Sequence, residues 1–323
     1  MTKEEAINMM EHIDPGIIDE ADTYLVTKKK SPWVKWVVMA ACLCLVIAGT
    51  FVVNELISDK PIANGTQEPA IADTELYIPA LELPDTAADM VFDMIGLVVY
   101  DGGIYTQAES YYGDDALIID KLVGDYLGYA TGSINEWSTQ EEYAEEFASS
   151  LAGKVYEVIG YDTDFRVCIR EEVENENGEK QLWIQFLDRL NGITLTTGKD
   201  LFETRLHLRN RVAAIHWQSH EDWNYGEDNI QNAAIDGNLW EEFLNQIDNG
   251  TFVNTWNPEI SSNTVYDAEK QAHIILAMED ETVIRLRLIE GGYVGYDALG
   301  WYFVQIPGEI FDSVFAACGG KNL

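Results

Sequence analysis

The stretch HWQSHEDWNY, residues 216–225, gathers the side chains best suited to binding chemistry. His216 and His220 stand four apart, a spacing that on a helix offers two imidazoles to one zinc ion. The preceding RVAAI alternates as a strand does, and along a strand the two rings would lie about 13 Å apart. No metal ligand is therefore assigned. Trp217, Trp223 and Tyr225 surround His220 in a polar stretch between two patterned regions. Aromatic faces at such a junction suit a sugar or a peptide. Trp217, His220, Trp223 and Tyr225 are thus the candidate ligand-binding residues. The competing reading is that these rings only seal two modules together.

YDTDF, residues 161–165, opens like a calcium loop but lacks the downstream glycine and glutamate, and it reads as a β-turn. The chain carries no G-x-S-x-G, H-E-x-x-H, P-loop or dinucleotide fingerprint. No catalytic residue and no cofactor is assigned, and the chain reads as non-enzymatic.

Two β-rich α+β modules would position the candidate residues, one over 89–223 and one over 227–320. In the first, IGLVVYDGGIYTQ predicts a hairpin on an Asp-Gly turn. STQEEYAEEFASSLAG predicts a helix with a Ser138/Glu141 capping box, a buried face of Tyr143, Phe147 and Leu151, and a stop at Gly153. KVYEVIG, DFRVCIREEVE and KQLWIQFLDR predict strands, the last two joined through Asn177-Gly178. In the second, Asn238 and Glu241 are expected to cap LWEEFLNQI, with Leu239, Phe243 and Ile247 on one face. AHIILAM, TVIRLRLIE and GWYFVQI predict strands, with Ile284, Leu286 and Leu288 inward and Arg285 and Arg287 outward. A closing helix is expected over 307–318. A helix before strands in both modules hints at duplication.

Upstream, residues 36–53 hold eighteen consecutive side chains without charge. As a helix they measure about 27 Å, close to the ~30 Å hydrocarbon core of a bilayer. Lys28, Lys29, Lys30 and Lys35 precede the run, and Glu55 and Asp59 follow it. Positive charge stays on the cytoplasmic side, which places the N-terminus inside and the bulk of the chain outside. A cleaved signal would begin nearer the start and be shorter. The MAAC ending at Cys42 is followed by too long an apolar run for a lipoprotein signal. The expectation is a retained single span over 33–57, a cytosolic stub over 1–32 and a linker over 58–88. The fold class is accordingly α+β: short cytosolic helices, one transmembrane helix, then the two modules.

The chain has 20 basic and 56 acidic side chains, a formal net charge of −36, and most of the excess follows the span. Such a surface repels nucleic acid, so no direct nucleic-acid partner is expected. Two of the four cysteines, Cys42 and Cys44, fall inside the span. Cys168 is expected on a polar strand face and Cys318 on an apolar helix face, which argues against a bridge. In the stub, Ile17, Ile18, Ala21 and Leu25 form one helical stripe. Some twenty-five residues cannot bury a core of their own, so this stripe is the candidate partner-binding surface.

The stub HIDPGIIDEA, the span WVVMAACLCLVI, and the stretches GLVVYDGGIYTQ and EGGYVGYDALGWYFVQIPGEIFDSVF resemble a group of largely uncharacterised single-pass membrane proteins of Gram-positive gut bacteria. The layout is similar to that of anti-sigma factors. That resemblance implies a cytosolic regulator, a sigma factor, as partner. The zinc-binding anti-sigma signature is absent, because no cysteine precedes the span and His12 stands alone. The leading expectation is an envelope sensor that signals through the stub. The alternative is a surface-anchored binding module with an unknown extracellular ligand.

Overall fold

The computed structural model describes residues 75–81, 95–135, 138, 142–254 and 267–320. The stub, the span and the stripe Ile17, Ile18, Ala21 and Leu25 lie outside them. Among the described residues no helix is long and apolar enough to cross a membrane. The fold is β-rich α+β.

The elements run β1 (Leu76–Ile78), β2 (Leu97–Tyr100), β3 (Gly103–Tyr112), α1 (Gly113–Ile119), β4 (Val123–Thr131), β5 (Ala152–Val158), β6 (Arg166–Glu174) and β7 (Lys180–Asp188). Strands β2 to β7 form one antiparallel sheet in the order β2-β3-β7-β6-β5-β4. The Asp-Gly turn is present: Asp101 (φ 46°) and Gly102 (φ 67°) join β2 to β3, as a two-residue loop of left-handed residues should. The β6–β7 hairpin is present too, and its turn is built by Asn175, whose Oδ1 accepts from the N–H groups of Asn177 and Glu179. YDTDF is a turn, with Phe165 N donating to the Asp162 carbonyl.

The helix expected over STQEEYAEEFASSLAG does not form. Only a 3-10 turn, Glu142–Ala144, is present, and Ser138 Oγ accepts from Asn135 N instead of capping forward. Residues 139–141 lie outside the described set. The segment 147–150 is used as a bridge. Phe147 N and Ser150 N donate to Val99 O and Leu97 O, and Val99 N donates to Ala148 O. On its other side Thr131 N donates to Phe147 O and Ile134 N to Ser149 O. The sheet therefore closes between its two edge strands. All six strands send side chains into one interior of Val98, Tyr105, Ala130, Val155, Val167, Ile169 and Leu187. Phe147 (φ 61°) turns its ring toward Gly128, where any Cβ would collide with it. Satisfying two sheet edges outweighs one amphipathic turn, which is why the 3.6-residue pattern misleads here. The supposed duplication loses its main support.

The chain continues through β8 (Ile193–Leu195), α2 (Gly198–Phe202), β9 (Val212–Ser219), α3 (His220–Tyr225), β10 (Gln231–Asn232), α4 (Gly237–Asn249), β11 (Thr251–Asn254), β12 (Gln271–Met278), β13 (Val283–Ile289), β14 (Tyr293–Tyr296), β15 (Tyr302–Gln305) and α5 (Glu309–Ala317). β1 pairs with β8. A seven-stranded antiparallel sheet has the order β10-β9-β12-β13-β14-β15-β11. β9 lies before the 223/227 boundary drawn from sequence but is hydrogen-bonded to β12. The second sheet thus begins at Val212. α4 starts two residues earlier than expected, with Asp236 as its N-cap accepting from Leu239 N.

One face of this sheet, with Ile274, Leu276, Ile284, Leu286, Leu288, Val294 and Val304, shares a single core with α4, α5 and the outer face of the barrel. Inside that core Arg166 and Asp188 form a two-pronged ion pair at 2.6 and 2.7 Å. Tyr296 of the sheet donates to the same carboxylate at 2.8 Å. The rings of Tyr161, Phe165 and Phe186 surround the guanidinium. Arg166 and Cys168, on the polar face expected of FRVCIR, are therefore buried, because the barrel is covered on both sides there, while Arg170 at its end stays half-exposed and pairs with Asp120. Cys168 is buried like Cys318, not on an open face, and both thiols are free. Burial pushes each up to about 12. Neither is expected to react with a maleimide or an aromatic disulfide at pH 8 until the fold is denatured. Labelling of intact chain, counted by mass, checks this. Reducing agent should leave the melting temperature unchanged.

Candidate functional site

Ser219 ends β9 and caps α3, its Oγ accepting from Asp222 N at 3.0 Å. Gly226 closes the helix in the left-handed conformation at φ 66°, which a residue without a Cβ adopts freely. The chain thus makes one turn of helix over the edge of the sheet. His220 and Trp223 are three apart, so one helical turn brings both rings to the same side. There they meet His273.

His273 is fully buried on β12, on the face opposite Ile274 and Leu276. The register sets Gln218 of β9 and Arg287 of β13 on either side of it. Asp297 begins the 3-10 turn Asp297–Leu299 after β14. His220 Nδ1 lies 2.9 Å from His273 Nε2, and the ring planes differ by 11°. With nitrogens that close and centroids 5.2 Å apart, the imidazoles are joined edge to edge, not stacked. Trp223 does stack, at 4.4 Å and 13° from His273 and 5.3 Å from His220. It roofs the pair.

Asp297 Oδ2 faces His273 Nδ1 at 3.5 Å, longer than a formed hydrogen bond. A carboxylate there favours a proton on Nδ1, so His273 Nε2 accepts from the His220 Nδ1–H. This leaves His220 Nε2 as the open acceptor of the chain. Burial, then the neighbouring His273 and Arg287, push His220 down to about 3 against the pull of Asp297. His273 is lowered as well, by burial first and by Arg287 and Arg285. Burial opposes the charge on Asp297, but His273, Arg285 and Arg287 outweigh it and hold the carboxyl below its usual range. Arg287 is oriented by Gln271, whose Oε1 accepts from its Nε at 2.8 Å, and lies 5.5 Å from the Trp301 ring centroid. The face assigned outward from TVIRLRLIE is therefore a covered polar layer.

Of the four residues chosen from sequence, His220 and Trp223 come together. Trp217 is directed to the opposite face, where it packs on the core against Gly319, a residue with no room for a Cβ beside that ring. Tyr225 is 67% exposed and has no part in the cluster. His216 is on β9 and does not chelate with His220. Among the described residues no group of three or more His, Cys, Asp or Glu is arranged to hold a metal ion. His273, Asp297, Arg287 and Gln218 were missed. A histidine in the apolar strand QAHIILAM was the available signal, but its partners arrive from four other elements.

The site has no nucleophile on His220, whose one hydrogen bond is to His273. Its chemistry is that of a proton-sensitive imidazole pair, His273 buried and His220 half-buried, beneath a partly open indole. What the described residues define is a β-rich α+β protein. Comparison of the chain with protein-family models, curated proteins and solved structures finds no match in any of the three.

Proposed function

We propose that the chain is a membrane-tethered, non-enzymatic envelope sensor that signals to a cytosolic regulator. Residues 1–32 are cytosolic, 33–57 cross the bilayer, and the folded remainder is extracytoplasmic, with the barrel and the seven-stranded sheet as its two modules. The observation that carries this reading is the uncharged run 36–53 with lysines before it and acids after it. The core shared by β1 to α5 supports it, since a region with its own interior can stand outside the membrane on a linker. The cytosolic contact is the stripe Ile17, Ile18, Ala21 and Leu25, and a sigma factor is the partner that the resemblance favours. The acidic surface argues against direct binding of nucleic acid.

A second reading, a surface-anchored binding module, rests on the indole of Trp223, which is only partly buried above the histidine pair.

Topology is tested with tags at both ends. Protease added to intact, wall-stripped cells is expected to remove the C-terminal tag and spare the N-terminal one. Protection of both would place the folded region inside the cell. A mature N-terminus near Ala48 would replace the anchor with a cleaved signal.

A further inference from the structure

We infer that α3 is an acid-released flap: the proton shared between His220 and His273 latches it, and proton uptake by the pair lifts His220 and Trp223 off the sheet. The switch deepens the sensor reading by naming protons as an input, and only its envelope role rests on that reading.

Two imidazoles meeting edge to edge at 2.9 Å need one nitrogen to donate and the other to accept. With both rings protonated, two N–H groups would point at each other, and the contact cannot persist. The first proton has one open place, His220 Nε2, where it leaves the Nδ1–H contact standing and its cost is that of burying a charge. Every element packed around the pair bears on whether that charge is tolerated. From α3 come Trp223, whose face offers some cation–π support, the exposed Glu221, and Asp222, held by Ser219 and Asn229. β9 contributes Gln218 and His216, and Gln218 Oε1 is buried without a hydrogen-bond partner. β12 contributes Gln271. β13 contributes Arg285 and Arg287, which repel a further positive charge. The turn after β14 contributes Asp297, which attracts one, but it lies beside His273 and not beside His220 Nε2. The 3-10 turn Ala268–Lys270 brings Glu269 and Lys270, the latter paired with Glu290 at 3.3 Å. Burial and the two arginines prevail, and the closed pair stays neutral.

Two residues serve as hinges. Ser219 and Gly226 bracket a helix of six residues with no buried residue of its own. Lifting it costs the indole stack and the N···N contact but leaves the β9–β12 ladder in place. A histidine held near 3 when closed and released to about 6.5 when open takes up a proton on opening. The closed form is therefore favoured fully above pH ~6.5 and progressively less as the pH falls toward 3. Between pH 7.5 and pH 5, His220 alone should raise the open population about 30-fold.

The experiment is amide hydrogen exchange on the full chain in detergent micelles, with exposure times scaled to the intrinsic rate at each pH. Peptides covering 219–227 are expected to lose about 30-fold in protection from pH 7.5 to pH 5, while those of β6 and β7 stay unchanged. In His220→Asn, whose amide can still donate to His273 but cannot titrate, that pH dependence should shrink to the part His273 alone contributes. Equal protection of 219–227 at both pH values would overturn the flap. So would parallel loss in β6 and β7, which reports global acid unfolding, or an unaltered pH dependence in His220→Asn. Exchange does not depend on which side of the membrane the domain occupies. Protease shaving can therefore fail while the flap holds, and the reverse.

Discussion

Asp188→Ala is expected to lower the melting temperature by about 10 °C, with Arg166→Met close behind. The basis is the buried ion pair between barrel and sheet, whose side chains are 2% and 0% exposed. Removing one member leaves the other charged in an apolar interior, at a cost of roughly 3–5 kcal/mol. In a folded region of this size each kcal/mol moves the midpoint by about 2–4 °C. Burial works against the charge on Arg166, but Asp188 together with Tyr296 and Tyr161 outweighs it and holds the guanidinium's pKa well above its ordinary value. Burial likewise raises the Tyr296 phenol, which stays protonated and keeps its O–H on the carboxylate. The double variant Arg166→Met/Asp188→Leu, which removes both charges, is expected to regain much of the loss. Thermal unfolding of the three variants in one buffer checks this. A double variant no more stable than Asp188→Ala would mean that the pair contributes through shape and not through its charges.

That ion pair also shows where sequence reading ends. The alternation in FRVCIR correctly splits Val167 and Ile169 from Arg166 and Cys168. Alternation gives faces, though, and does not say what covers them. Val167 and Ile169 face the barrel interior, whereas Cys168 faces the second core, and the arginine is buried because Asp188 and Tyr296 meet it there. Strands and turns near in sequence were legible, such as Asp101-Gly102 and the strands β12 and β13, because their signals are local. The segment 138–151 was not, since its 3.6-residue pattern is genuine but the open edges of β2 and β4 compete for its backbone. The candidate site was half legible for the same reason. His220 and Trp223 share one turn of chain, while His273 and Asp297 are 53 and 77 residues further on from His220, brought in by a sheet order that no local pattern encodes.

The proposed cytosolic end rests on sequence alone, and it carries the other large effect. Ile18→Asp is expected to abolish capture of the cytosolic partner, while membrane insertion and the outer fold remain. The spacing of Ile17, Ile18, Ala21 and Leu25 predicts one helical face in a segment too short to bury it, so an amphipathic helix in a partner's groove is the mode proposed. One buried isoleucine is worth about 1.5–3 kcal/mol, which is tenfold or more in affinity, and a carboxylate in its place adds a desolvation cost. Glu20→Gln alters a charge off that stripe and should change little. Solubilised membranes carrying N-terminally tagged chain, pulled down and analysed by mass spectrometry, give the comparison. If wild type and Ile18→Asp retain the same proteins, the stripe is not the contact. If neither retains any, the stub serves only to fix topology, and the histidine pair under Trp223 becomes the leading place to look for what this protein binds.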